Sequence, residues 1–498
     1  MATFIDLTHH LSPETLARGT NPLKDVLRIA LENPQLVTLA NGDPHPSRFP
    51  IRRVDFEIAT VTTNDPVADW TSLGNSAPSQ VLSTSQDDDL RRLLKSSLQY
   101  GHGAGLKDAL RVVDDINKAY HNAPNHVSTM TLGNADAITK CLRMFGSPGD
   151  HFLADEFTFL PMPLAGEAHG ITWVPVTIDA GGIIPEELER ILENWDPKRG
   201  RRPHVLYITP SGQNPTGSTL DTERRTKIYD IAHRYDLIIL EDDPYFFLQY
   251  DLPQSGSESF KPPAPSFLSM DVDGRVIRID SFSKIMAPGM RLGWITSSPS
   301  FRDHLIKFID LSTQNPAGFA QVLIVALLGP YGGWQLSGFD RWVRSLCTDY
   351  QRRRDFFAEL FEREVASTGL ASAHIPAAGM FFWIRVHLEK HPRFKTDIEA
   401  GSSDGLRVAK TNTMELMKEL FDACLACGLV ICPSSIFALR ADPRLALTGV
   451  SSSLQQRSNF VRATFAGSEE AIAAGVPLLG KALKQFFAGS SEAVQSIA

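Results

Sequence analysis

His204–Thr209 (HVLYIT), the loop PSGQNPTGST, a helical run after Leu220 through Tyr235, and Leu237–Leu240 (LIIL) form the stretch that decides the fold. Two short apolar runs rich in β-branched residues flank a segment long enough for one helix. That spacing predicts a strand–helix–strand unit with parallel strands, since parallel neighbours need a crossover. Working outward, Arg275–Ile279 (RVIRI) reads as a further strand. Upstream, Asp150–Leu153 and Thr172–Val176 read as strands around the helical Leu160–His169. The alternation predicts an α/β domain built on a mostly parallel sheet. From about Trp334 the pattern changes to a long helix, Phe339–Glu364, followed by strands at Met380–Val386 and Leu429–Cys432. That shift predicts a smaller α+β domain. The expected division is an N-terminal arm over 1–55 contributing to the small domain, a large domain over 56–330 and a small C-terminal domain over 331–498. Pro253–Ser269, rich in Pro and Ser, and the polar His391–Thr413, without a helical stripe, read as surface insertions.

Composition narrows the function classes. The 498 residues are 43% hydrophobic, which excludes disorder as the default state. Lys plus Arg is 49 and Asp plus Glu is 57, a net charge of −8, which lacks the footprint of a dedicated nucleic-acid binder. Five cysteines are too few and too odd in number for a disulfide scaffold and point to a reducing compartment. Met1–Leu16 has no secretory pattern, and no window approaches the roughly 18 apolar residues of a membrane span. Gln495–Ala498 matches no lipidation or sorting signal. The expectation is a soluble, cytoplasmic protein with no nucleic-acid or membrane partner.

Four short words then follow in order. Gly133–Ala137 (GNADA) opens a helix running through Phe145, and free N–H groups at a helix start bind anions, although an ordinary N-cap reads the same way. Asn214–Gly217 (NPTG) follows the strand His204–Thr209, at the strand end where α/β proteins place ligand groups; a plain turn is the alternative. Glu241–Tyr245 (EDDPY) ends the strand Leu237–Leu240. A carboxylate there is either a solvated loop charge or one held beside a cationic ligand, and Tyr245 lies three residues beyond Asp242. Ser281–Lys284 (SFSK), with Arg291 beyond it, follows Arg275–Ile279. A lysine with a burial-lowered pKa condenses with aldehydes, and two serines with an arginine suit a phosphate. Most single lysines are surface charges, so the conjunction carries the reading.

Together these words resemble the fold-type I, pyridoxal-phosphate-dependent aminotransferases of class I/II. The nearest branch holds fungal aromatic aminotransferases and kynurenine/2-aminoadipate aminotransferases. The likeness spans nearly the whole chain: Asn41–Pro46 (NGDPHP), Leu98–Gly101 (LQYG), Glu241–Leu248 (EDDPYFFL), Pro265–Ile285, Pro376–Ile384 (PAAGMFFWI) and Asn459–Phe465 (NFVRATF). The resemblance implies that Lys284 holds pyridoxal 5′-phosphate covalently and shuttles the α-proton. It implies that Asp242 pairs with the ring nitrogen, and that Asn214 and Tyr245 bond the ring's 3-oxygen. Backbone groups of Asn134 and Ala135, with Ser281, Ser283 and Arg291, would hold the phosphate. Tyr100 would reach it from a neighbouring subunit, making a homodimer part of the site. Arg462 would clamp the substrate carboxylate, helped by Asn214 and the Gly42 backbone.

Two positions depart from the family pattern. Phe159 stands where the ring-stacking tyrosine is usual, and Asn41 replaces the first glycine of Gly-Gly-x-Pro. Ala17–Lys24 matches the branch's mobile lid, so Arg18 or Lys24 is expected to meet a distal carboxylate and to swing out for an aromatic ring; the alternative is that both charges merely solvate the lid. The implied activity is two-stage transfer of an amino group from an aromatic amino acid, kynurenine or 2-aminoadipate to an oxo acid such as 2-oxoglutarate. The alternatives are a lyase or decarboxylase on the same scaffold, or a ligand-sensing regulator; the likeness begins near Arg18, leaving no room for a regulator's DNA-binding segment. No metal set is expected: Cys424 and Cys427 lack a completing pair and read as core packing. Gly101–Gly105 reads as a loop, Lys198–Arg202 as a solvated basic run, and Asp87–Asp89 as a helix start.

Overall fold

The computed structural model describes residues 4–489 apart from 34, 38, 41, 251–263, 401–406, 440–453 and 455–456. Asn41, most of the Pro/Ser-rich insertion and the C-terminal Gln495–Ala498 therefore lie outside the described residues. The central sheet has seven strands: β1 (Val127–Thr131), β2 (His151–Asp155), β3 (Thr172–Val176), β4 (Val205–Ile208), β5 (Ile238–Asp242), β6 (Val276–Ser281) and β7 (Gly293–Ser297). Their order is β1-β7-β6-β5-β4-β2-β3. Every pairing is parallel except those of β7, which runs antiparallel to both β6 and β1. Strands β2 and β4 to β7 are buried along their whole length, which is why most of them read as continuous apolar runs. The sequence reading omits β1 (VSTMT) and β7 (GWITS), whose Ser, Thr and Gly break the apolar run.

Helices cover both faces. Asn134–Phe145 buries Ala137, Ile138, Cys141 and Leu142, one stripe at helical spacing, in a cluster with Val205, Tyr207, Leu240 and Ile279. On the other face, Ile228, Ile231 and Ala232 of Thr222–Arg234 join Leu206, Ile239 and Val276. Residues alternate between the two clusters along β4 to β6, so each strand is fixed in register from both sides. Full burial of a Leu or Ile side chain is worth about 1.5–3 kcal/mol, so a one-residue slip is heavily penalised.

The long helix spans Gln335–Glu364 and joins two cores. Phe339, Val343 and Cys347 pack with Phe246, Phe282 and Trp294, whereas Phe357, Leu360 and Phe361 pack with Phe382, Ile384 and Leu483. The second core belongs to an antiparallel sheet of β8 (Ala371–Ala373), β9 (Phe381–Val386), β10 (Cys432–Pro433) and β11 (Phe460–Thr464), ordered β8-β9-β11-β10. Three expectations are corrected. Leu429 is not in a strand, because its amide bonds Cys424 O at 2.9 Å and closes the preceding helix. His391–Thr413 contains an antiparallel ribbon, Thr396–Ala400 with Arg407–Thr411, which the absence of a helical stripe does not announce. Phe267–Met270, inside the expected insertion, is a short helix capped by Ser266, and buried Glu241 accepts its Phe267 and Leu268 amides. Among the described residues no helix is long and apolar enough to cross a membrane.

Candidate active site

Because β1, β4, β5 and β6 all point the same way, the four words fall along one edge of the sheet. Asp242 ends β5 and pairs in register with Ile279 of β6. It is buried; its Oδ1 accepts from Asn134 Nδ2 at 2.6 Å and its Oδ2 from the Tyr207 hydroxyl at 2.7 Å. Burial pushes its pKa above the usual carboxylate range, while these two donors pull against that. Behind it, buried Arg278 lies 2.9 Å from Glu241, 3.3 Å from Asp243 and 2.8 Å from Asp280. Burial alone would lower the guanidinium pKa, but the three carboxylates hold it above its ordinary value.

Lys284 is half-buried, and its pKa is lowered first by burial, then by the charges of Arg291 and Arg462. Its strand ends on Ser281, whose hydroxyl accepts the Ser283 amide at 3.0 Å. Arg291 approaches the start of the helix Asn134–Phe145 so closely that a Cβ on Gly133 would lie 2.8 Å from its Nη2; Gly133 also has φ +94. A side chain at 133 would fill that cradle.

The Asn214–Pro215 bond is cis, and Asn214 Oδ1 accepts from Arg462 Nη1 at 2.8 Å. Tyr245 is buried; burial, then the charge of Asp242, raises its phenol pKa, while Arg462 and Asn214 pull the other way. Arg462 arrives on β11 from the smaller sheet. Its guanidinium carbon lies 4.5 Å from the Phe381 ring centroid and 4.7 Å from that of Phe437, within cation–π range of both. Gly212, in the loop after β4, meets Gly379 so closely that a Cβ on either would collide with the other's backbone. That contact brings the loop carrying Asn214 against the segment leading into β9.

Residues 78–472 match the family model described as aminotransferase class I and II. The chain belongs to this family. It is 46% identical to an L-tyrosine:2-oxoglutarate aminotransferase of Serpula lacrymans var. lacrymans, over 97% of this chain and 96% of that one. A second L-tyrosine:2-oxoglutarate aminotransferase, from Tapinella panuoides, is 45% identical over 97% of this chain and 96% of that one. The crystal structure of aminotransferase Aro8 from Candida albicans, 31% identical, superposes with a TM-score of 0.83, covering 98% of this chain and 100% of that one. The fold is thus the fold type I expected, and the protein is an aminotransferase.

Other expected residues of this aminotransferase lie nearer the surface. Phe159 lies just before the helix Pro161–Ala168 and is 38% exposed; Tyr100 is 55% exposed, and Gly42 is exposed with open space around it. Arg18 is held away, its guanidinium 4.2 Å from the Phe308 ring centroid and paired with Glu14. Lys24 bonds the carbonyls of Gly101 and, at 3.3 Å, Gln314. Cys424 is buried in the helix Thr413–Ala426, and all five cysteines are free.

The sequence reading misses Tyr207, the side-chain contact of Asn134, and the ring pair Phe381–Phe437. Tyr207 carries one signal: a hydroxyl in an otherwise apolar buried strand needs a polar partner.

Proposed function

We propose that the chain is a pyridoxal 5′-phosphate-dependent aminotransferase that moves the amino group of an aromatic amino acid to 2-oxoglutarate in two alternating half-reactions. The observation that carries this reading is the convergence of Lys284, buried Asp242 and Arg462 around Asn214 and Tyr245. The substrate names of the two relatives at 45–46% identity support the choice of donor and acceptor. The cofactor fits on three counts: a glycine cradle beside Arg291, a buried carboxylate, and a half-buried lysine whose pKa is lowered by burial and by the charges of Arg291 and Arg462.

The bound cofactor supplies an electron sink for charge developing at the substrate α-carbon. Lys284 would hold it covalently and then carry the α-proton. Asp242 would keep a proton on the ring nitrogen. Tyr245 and Asn214 would bond the ring's 3-oxygen, and Phe159 would stack on the ring. Arg291, Ser281, Ser283 and the free amides of Asn134 and Ala135 would hold the phosphate. Arg462, with the Phe381 and Phe437 rings beside its guanidinium and its Nη1 donating to Asn214, would bind the α-carboxylate, with the Gly42 backbone assisting.

In this reading the site lies between the large domain (56–330) and the small one (331–498). Tyr100, exposed here, would complete it in a second copy, making a cytoplasmic homodimer; the five free cysteines suit a reducing compartment.

The test combines tyrosine and 2-oxoglutarate with the cofactor-loaded protein and follows glutamate. Glutamate should form, borohydride should fix the cofactor on Lys284, and Lys284→Ala should lose several orders of magnitude of turnover. Release of ammonia or carbon dioxide without glutamate, or labelling of another lysine, would overturn the reading.

A further inference from the structure

We propose that Tyr207, together with the side chain of Asn134, clamps the carboxylate of Asp242 and so decides where the proton rests between Asp242 and the cofactor's ring nitrogen. The inference rests on the proposed function, which sets Asp242 against that nitrogen.

The clamp follows from register. Tyr207 on β4 pairs with Leu240 on β5, and Asp242 lies two residues beyond Leu240, on the same face of the sheet. The Tyr207 hydroxyl therefore reaches Oδ2 at 2.7 Å from inside the core, where the residue is 0% exposed. Asn134, at the start of the covering helix, reaches the other oxygen at 2.6 Å. Its own Oδ1 is buried with no hydrogen-bond partner, so the amide is turned to spend its donor on Asp242.

Each oxygen of Asp242 thus holds one donor and keeps a free acceptor position, because a carboxylate offers about four lone-pair sites. A ring N–H has a place to bind without displacing either donor. The two donors do different work from packing. A carboxylate facing a ring nitrogen shares one proton with it, and donors on the carboxylate stabilise the anion, leaving the proton on nitrogen. Buried without them, the carboxylate would take the proton, and the ring would lose its charge. Tyr207 and Asn134 are positioning residues here: they act through Asp242. The Tyr207 ring itself belongs to the core, 6.2 Å from the Trp173 ring, so phenylalanine fills the same space and removes only the donor.

The test uses full-length holoenzyme loaded with cofactor carrying ¹⁵N at the ring nitrogen. In Tyr207→Phe the ¹⁵N resonance should move from the protonated toward the unprotonated position, and the cofactor Kd should rise about tenfold. Far-UV circular dichroism should be unchanged. Asp242→Asn is the control and should move the resonance at least as far. If Asp242→Asn leaves the resonance in place, the reading of Asp242 fails. If Asp242→Asn moves it and Tyr207→Phe does not, the clamp fails while that reading stands. Should Tyr207→Phe not fold, Asn134→Ala decides: a resonance displaced in the same direction supports the clamp, and an unmoved one overturns it.

Discussion

The carboxyl edge of the central sheet and the N-terminal arm are built on opposite plans. At the edge, Asp242, Tyr245 and Arg278 are buried and each is held by named partners. Along the arm, the helix Pro22–Glu32 turns Leu23, Val26 and Ile29 outward, exposed by 77%, 42% and 55%. Preorganised chemistry belongs on rigid strands, while adaptable contact belongs on elements whose faces are not yet committed. The contrast also predicts where a change of charge will be felt.

The largest test of the contrast is Arg278→Met. It leaves Glu241, Asp243 and Asp280 buried around a missing cation, and breaking such a cluster from one side costs about 3–5 kcal/mol. Arg53→Gln, which removes an exposed ion pair with Asp55 at the arm's end, should leave the denaturation midpoint unchanged. Equal midpoints for the two variants in urea would erase the distinction.

Acid should open the two regions in sequence, the arm first. His10 anchors the arm to the large domain: it is 1% exposed, lies 3.1 Å from Asp236 and stacks 5.5 Å from His204. Burial lowers its pKa from 6.5 to about 4, against the pull of Asp236, with His9 and Arg201 lowering it further. His204 is pushed down to about 3, also chiefly by burial. Both are neutral when folded and take up protons at 6.5 when released. The stability they contribute is therefore complete above pH 6.5, falls as pH falls, and for His10 is lost by about pH 4. The His10 contribution is on the order of 3 kcal/mol. Hydrogen exchange at Thr8–Ala17 should accelerate across that window, before the amides of β4 to β6; simultaneous loss would contradict the comparison.

Arg462→Ala sharpens the site side. Removing a bidentate carboxylate contact should raise KM for both substrates by the equivalent of about 1.5–3 kcal/mol. Phe437→Leu, which removes one of its two rings, should give a smaller change of the same kind. A fall in kcat alone would mean that Arg462 acts on chemistry and not on binding.

How much of this was legible depends on whether a residue is defined along its own strand or across two. Asp242 and Lys284 are legible through the conjunction of the four words and the resemblance they carry; position after a strand alone leaves each open to a surface charge. Tyr207 could not be assigned, since a period of two places it on a face without saying which neighbour that face meets. The same holds for Phe437, which reaches Arg462 from the turn after β10, and for Asn134, whose backbone was expected at the phosphate while its side chain serves Asp242. The ribbon of Thr396–Ala400 and Arg407–Thr411 is illegible for a different reason: RVAKT sets Val408 beside Ala409 and Lys410 beside Thr411, so one of its two strands carries no period-two signal.

The smallest expected effect concerns Arg18 and Lys24 of the arm, which the sequence treats as equivalent and the structure separates. Arg18 is tied to Glu14, which also holds Arg143, and lies over the Phe308 ring. Swinging it away would break its contacts with Glu14 and with the Phe308 ring together. Lys24 has lighter ties, two backbone carbonyls, and one of them belongs to Gly101, next to Tyr100. Burial lowers its pKa, while Asp310 and Asp43 oppose that. We therefore predict that Lys24→Gln weakens 2-oxoglutarate by about 1 kcal/mol in kcat/KM and leaves tyrosine nearly untouched. Arg18→Gln should instead loosen the arm, seen as faster exchange at Pro13–Ala17, with no preference between substrates. The measurement is each half-reaction alone, by single-turnover absorbance. A selective loss in Arg18→Gln, or equal losses for both substrates in Lys24→Gln, would show that the arm's charges hold the fold and do not choose the acceptor.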